Sequence, residues 1–361
     1  MKRIIASLAV ILICITAYLN VFAVEYTEDI VVSLKIGNPC MMVNGTEVNI
    51  DGERGTVPVI KNSRTLVPIR AIIEAFCGTV GWDDATGTIT LTLDGDVIGL
   101  ATGSNTAYIN NKPYMLDTPP EVINGRTMLP VRFVAEGVGL GVGWHNETQT
   151  VYIVRNGFDK NEYEYILSQL PEKGDSPYAV INNNKPMFKD YEIIPASFEY
   201  YSKLDELGRC DVAMASVSPE TMPTEKRESI ASVKPTGWIN KKYDCVPSGY
   251  LYNRCHLIGF QLTGENANER NLITGTRYLN VEGMLPFENI IDDYVDNTAN
   301  NVMYRVTPVF INNNLLADGV LLEAYSVYDV GEAVSFCVYC YNVQPNIIID
   351  YLTGESTLAV E

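Results

Sequence analysis

The stretch that decides the reading is Asn253-Arg254-Cys255-His256-Leu257-Ile258-Gly259, followed by Asn271-Leu272-Ile273-Thr274, by Asn280-Val281-Glu282-Gly283-Met284 and by Glu288. It holds one of only two histidines in the chain. Asn271, Asn280 and Glu288 follow His256 at successive intervals of 15, 9 and 8 residues. A neutral imidazole acts as a general base near pH 7. The side-chain oxygen of Asn280 is a hard ligand suited to Mg²⁺, and the Glu288 carboxylate can hold the waters of such an ion. Arg254, two residues before the base, suits a phosphate. These parts together describe metal-assisted hydrolysis of a phosphodiester.

The order Arg-x-His, Asn-Leu-Ile-Thr, Asn-x-x-Gly-Met, Glu resembles the DNA/RNA non-specific endonucleases, above all their DNA-entry branch, over roughly residues 177–356. The signature of that family reads Asp-Arg-Gly-His where this chain has Asn253-Arg254-Cys255-His256. The base and the arginine are kept while two supporting positions differ. The resemblance implies a ββα-metal, or His-Me finger, core. It implies His256 as base and Arg254 on the phosphate. Asn280 would bind one Mg²⁺, with Mn²⁺ as a substitute, and Glu288 would reach that ion through water. Asn253 and Asn271 are supporting residues, the latter orienting the His256 loop. Lys234-Pro235-Thr236-Gly237-Trp238 also matches a segment of the family, which makes Lys234 a further candidate for substrate contact.

Net charge is −18 over 361 residues, which taken globally argues against a polyanionic partner. The balance is uneven, however. Between Lys226 and Arg277 eight basic residues face four acidic ones, and this window contains the His256 motif. Lys241, Lys242 and Arg277 within it are candidate contacts to the backbone of DNA or RNA, with no sequence preference expected.

The chain opens with Lys2 and Arg3, an apolar run from Ile4 to Tyr18 and then Val21-Phe22-Ala23, the pattern of a signal peptide over 1–23. An uncleaved membrane anchor is the other reading of this run. Either one sends the protein out of the cell, secreted or held at its surface. Seven cysteines remain after Cys14, too sparse for a disulfide scaffold. Cys337-x-x-Cys340 mimics half a metal site, but it sits in an alternating run, where residues three apart face opposite sides of a strand.

Residues 24–154 contain an internal repeat. Asn62-Ser63-Arg64-Thr65-Leu66-Val67-Pro68-Ile69-Arg70 recurs as Asn124-Gly125-Arg126-Thr127-Met128-Leu129-Pro130-Val131-Arg132, an offset of 62 that also carries Trp82 to Trp144. Each unit reads as a strand, an Arg-Thr turn, a helix opened by proline and a Gly-Trp hairpin. The pattern resembles the copper amine oxidase N-terminal, or stalk, domain. Two histidines cannot form a three-histidine copper site, so no copper is expected. His145 is expected as an exposed turn residue, and the run Gly137, Gly139, Gly141, Gly143 as a structural turn. A cell-wall or surface partner is the expectation for the stalk.

The whole then reads as α+β: a two-repeat β-rich stalk, a linker over 155–176, and a nuclease domain with an antiparallel sheet over 177–361. Because the repeat stops before the linker, the nuclease domain is expected to be separable from the stalk. Rival chemistries are weaker. A Cys255/His256 thiol hydrolase lacks an orienting third group, and a serine hydrolase lacks Gly-x-Ser-x-Gly. A catalytically degenerate cell-surface binding protein is the alternative that Asn253 and Cys255 keep open.

Overall fold

The computed structural model describes residues 29–156, 160–171, 176–247 and 249–359. The expected signal peptide lies outside these residues, as do parts of the expected linker. Among the described residues no helix is long and apolar enough to cross a membrane.

The N-terminal unit begins with β1 (Ile30–Lys35), β2 (Cys40–Val43), β3 (Thr46–Asn49), β4 (Val59–Lys61) and β5 (Arg64–Pro68). Helix α1 (Ile69–Ala75) leads to β6 (Thr79–Asp83), β7 (Thr88–Leu93), β8 (Asp96–Ala101), β9 (Thr106–Ile109) and β10 (Lys112–Met115). The second repeat adds β11 (Glu121–Ile123), β12 (Arg126–Pro130), α2 (Val131–Gly137), β13 (Gly141–His145) and β14 (Thr150–Arg155). Two five-stranded sheets result, ordered β10-β9-β8-β7-β6 and β13-β14-β1-β2-β3. The N-terminal hairpins therefore complete the sheet of the second repeat. The repeats meet where β5 pairs with β12, Leu66 opposite Pro130 and Pro68 opposite Met128, a register that the 62-residue offset maps onto itself. The hairpins leading into these strands turn at Asn62-Ser63 and Asn124-Gly125, all with positive φ, as a tight primed turn demands. Both helices bury equivalent faces, Ile69, Ile72 and Ile73 in one and Val131, Val134 and Ala135 in the other.

The glycine run is not a turn throughout. Gly137 ends α2, Gly139 turns the chain at φ +82, and Gly141 and Gly143 lie within β13. His145 closes that strand, half-buried, with Nδ1 2.8 Å from the Thr148 hydroxyl. The expectation of an exposed turn residue missed that the hairpin bends only after it.

After α3 (Lys160–Gln169) come β15 (Tyr178–Val180), β16 (Phe198–Tyr201), β17 (Ala213–Val217), β18 (Tyr252–His256), α4 (Phe260–Thr263) and β19 (Leu272–Thr276). A π-helical turn (Leu279–Met284) runs straight into α5 (Leu285–Thr298). Pro286, in the first turn of α5, has no N–H to donate back along the chain, and the wide turn before it takes up that break. Then follow β20 (Val302–Val309), β21 (Gly319–Ser326), β22 (Ser335–Tyr341) and a small hairpin of β23 (Ile347–Ile349) and β24 (Ser356–Leu358). The main sheet is antiparallel and six-stranded, β15-β22-β21-β20-β17-β16, and the fold is α+β. Cys337 and Cys340 point to opposite faces of β22, into separate apolar clusters, and the seven described cysteines are free thiols.

The two units are packed against each other in the structure. Strand β13 packs on β16, and Val31 and Val154 of the stalk share one buried cluster with Phe198, Met214 and Met303. Sequence repeats mark where a unit ends, but not what covers its outer face.

Candidate active site

Strands β18 and β19 pair antiparallel, with His256 opposite Leu272, and the helical segment from Leu279 to Thr298 follows them. This is a ββα unit. Because side chains alternate along β18, Arg254 and His256 share one face while Cys255 between them turns to the core. Gly275 makes that possible, since a Cβ there would sit 2.6 Å from Cys255 Cβ. The Cys255 thiol is fully buried, 3.1 Å from Asn280 Oδ1 and 3.4 Å from Met284 Sδ. Burial, with a smaller push from Glu288, drives its pKa well up, so it stays protonated and is no nucleophile.

His256 opens onto a cleft of about 810 Å³ whose lining includes Arg227, Trp238, Asn253, Arg254, Arg277, Asn280 and Glu288. Its Nε2 lies 2.9 Å from the Asn266 carbonyl. A carbonyl only accepts, so Nε2 carries the proton and the neutral ring keeps its lone pair on Nδ1. Arg227 Nη2 donates toward that Nδ1 at 3.3 Å. Burial holds the imidazole pKa below its ordinary 6.5; the Arg227 cation lowers it further, and the Asn266 carbonyl opposes both. The ring is therefore neutral at pH 7.

Asn271 is fully buried behind the site. Its Oδ1 accepts from the Ile258 amide at 2.9 Å and its Nδ2 donates to the Ile258 carbonyl at 3.0 Å, clasping the chain just after His256. The Gly259 amide donates to Glu288 Oε1 at 2.9 Å. Gly259 leaves the carboxylate its place, because a Cβ would stand 2.8 Å from both Glu288 oxygens. Burial raises the Glu288 carboxyl to about 7, against the Gly259 amide and the Arg227 cation.

Among the described residues no lysine, arginine or histidine forms an ion pair with Glu288. Nor do three or more His, Cys, Asp or Glu side chains gather into a metal cage. One amide oxygen and one buried carboxylate with no ion-pair partner among the described residues are a hard and sparse donor set. They fit a divalent cation that keeps most of its waters, as Mg²⁺ does.

Of the other expected contacts, Arg254 donates to the carbonyls of Val233 and, at 3.1 Å, Ala231, and stacks 4.3 Å from the Trp238 ring. It thus holds the 231–238 stretch of loop against the cleft. Arg277 lines the cleft, and among the described residues its guanidinium has no ion-pair partner. Asn253 lines it too, with Nδ2 buried and unpaired. Lys234, Lys241 and Lys242 stand outside the lining. Lys241 forms an ion pair with Glu355 and donates to the Ser356 carbonyl at 3.1 Å, while Lys242 Nζ lies 4.7 Å from the Tyr250 ring centre. Charge counting alone puts them in a groove; the C-terminal hairpin, more than a hundred residues on, takes up Lys241. Arg227 was counted in the basic window but not singled out. It lies in an irregular loop whose path to His256 no spacing rule fixes.

Residues 186–327 match the family described as DNA/RNA non-specific endonuclease, and residues 42–153 match the copper amine oxidase N-terminal domain. Two separate stretches of the chain are thus similar to two different families. Among solved structures, NucA from Streptococcus agalactiae with magnesium ion bound is 26% identical; the match covers 55% of this chain and 94% of that one, with a TM-score of 0.47. The Sda1 nuclease with bound zinc ion is 25% identical, covering 50% of this chain and 95% of that one, with a TM-score of 0.41. No curated protein matches the chain.

Proposed function

We propose that the chain is an exported, sugar-non-specific endonuclease that hydrolyses phosphodiester bonds of DNA, RNA or both. The observation that carries this reading is the fixed tautomer of His256: the Asn266 carbonyl holds the proton on Nε2 and leaves Nδ1 as a base inside an arginine-lined cleft. In the proposed reaction a water gives its proton to Nδ1 while its oxygen bonds to phosphorus, and the bond from phosphorus to the departing sugar oxygen breaks. Arg227 and Arg277 hold the phosphate, which draws Arg227 off Nδ1 and frees that nitrogen for water. The unpaired Asn253 amide supplies a further donor. Asn280, with Glu288 through water, would hold a divalent cation, Mg²⁺ or in its place Mn²⁺. Bound there, such an ion supplies positive charge for the phosphorane and the leaving oxygen. Contacts of this kind reach the backbone and carry no base information.

His256→Ala tests the reading. The variant should fold and lose nuclease turnover by roughly 10²–10⁴-fold. A zymogram with and without EDTA separates a metal-dependent nuclease from a degenerate surface-binding protein. Cleavage by His256→Ala near the wild-type rate would end the proposal, and activity that survives exhaustive chelation would remove the cation from it.

A further inference from the structure

The two repeats of the stalk are alike in sequence and unlike in what they face. Strand β6 of the first repeat is largely exposed, and Trp82 on it is 43% exposed. The equivalent β13 is buried at Gly141, Val142 and Gly143. A Cβ at Gly141 would stand 2.8 Å from the Glu199 carbonyl oxygen, and one at Gly143 would stand 3.1 Å from Ala196 Cβ and 3.2 Å from the Ser197 carbonyl oxygen. The first repeat carries Thr79 where the second has Gly141. Neither glycine has a positive φ, so space and not backbone conformation excludes a side chain there. β13 and β16 are both edge strands of their sheets, and the side-chain face of β13 packs against β16.

Polar contacts reinforce the apolar ones. Lys203 pairs at 2.6 Å with Asp96 of β8, a tie from the first repeat's sheet beside the second repeat's face. Asn156 Nδ2, at the end of the stalk, donates at 2.7 Å to Glu192, which also receives Arg305 from β20 at 3.0 Å. Arg270 lies against Gly139 and stands in the segment that follows Asn266, the residue holding the His256 proton.

We infer that the second repeat is a dedicated docking face for the nuclease sheet, and that stalk and nuclease fold and unfold as one cooperative body. The stalk is then half of the enzyme's scaffold and no detachable spacer. This holds whatever the cleft catalyses.

The test uses the whole chain. Wild type should unfold in a single calorimetric transition. Gly143→Val should lower its midpoint by about 5 °C or more, or split it in two. It should also speed hydrogen exchange over 198–217. Gly81→Val, the same change on the exposed first repeat, should alter neither measurement. If Gly143→Val fails to fold, Gly143→Ala gives the milder version of the same collision and decides the case on exchange over 198–217. Two independent transitions in wild type, or Gly143 variants that behave like Gly81→Val, would overturn the inference.

Discussion

His256 shows how much a single main-chain contact can decide. The acid–base role we propose for it depends on which nitrogen carries the proton, and the Asn266 carbonyl directs that proton to Nε2 with no side chain of its own. Protonation of Nδ1 abolishes the base, so activity should rise with pH through the imidazole pKa and level off above it. Burial, aided by Arg227, holds that pKa below 6.5, so the histidine's part of the acid limb of kcat/KM should lie below 6.5. That part lies under the one set by Glu288 at about 7, where no cation keeps that carboxylate ionised. Arg227→Gln removes a cation that disfavours the charged ring. Its acid limb should therefore move to higher pH, while kcat/KM at the plateau falls about tenfold or more through loss of a phosphate contact. An unshifted limb would show that Arg227 does not reach the histidine in solution. Arg254 belongs to this scale as well. The sequence offers it as a phosphate ligand, whereas two backbone carbonyls and the Trp238 ring hold it as a clamp on a loop.

At the scale of elements, the ββα unit sets the distance between base and carboxylate through Gly259, where the chain leaves β18 and meets α5. Gly259→Ala would press its Cβ on Glu288 and turn the carboxylate aside without touching His256. Binding of Mn²⁺, followed by titration calorimetry, should weaken by about 10- to 100-fold while the unfolding midpoint moves little. Undiminished Mn²⁺ affinity would place the cation elsewhere. Much of this element was legible in the sequence. The Arg-x-His motif and its following segments marked the ββα unit, and the 62-residue offset marked both stalk helices. What was not legible came from partners far along the chain. Glu355 taking up Lys241, the Gly141–Glu199 approach and the Arg227 contact to His256 join segments whose separation no local pattern encodes. Backbone groups such as the Asn266 carbonyl leave no trace in side-chain spacing at all.

Across the whole molecule the electrostatics pull in two directions. The chain carries −18 and should repel a polyanion over most of its surface. The cleft presents arginines, of which Arg227 and Arg277 are available to phosphate and Arg254 is partly engaged. With two to three phosphate contacts, affinity for duplex DNA should fall about 10- to 40-fold between 50 and 200 mM salt. Fluorescence anisotropy on unrelated oligonucleotides, with Ca²⁺ in place of Mg²⁺ to suppress cleavage, reads this directly. Arg277→Ala should flatten the slope by about one contact. Lys241→Ala should change it little, because Glu355 already holds that charge. A slope lost on mutating Lys241 and kept on mutating Arg277 would move the nucleic-acid track from the cleft to the C-terminal hairpin. One oligonucleotide bound far more tightly than its scrambled form would mean that bases, and not only phosphates, are read.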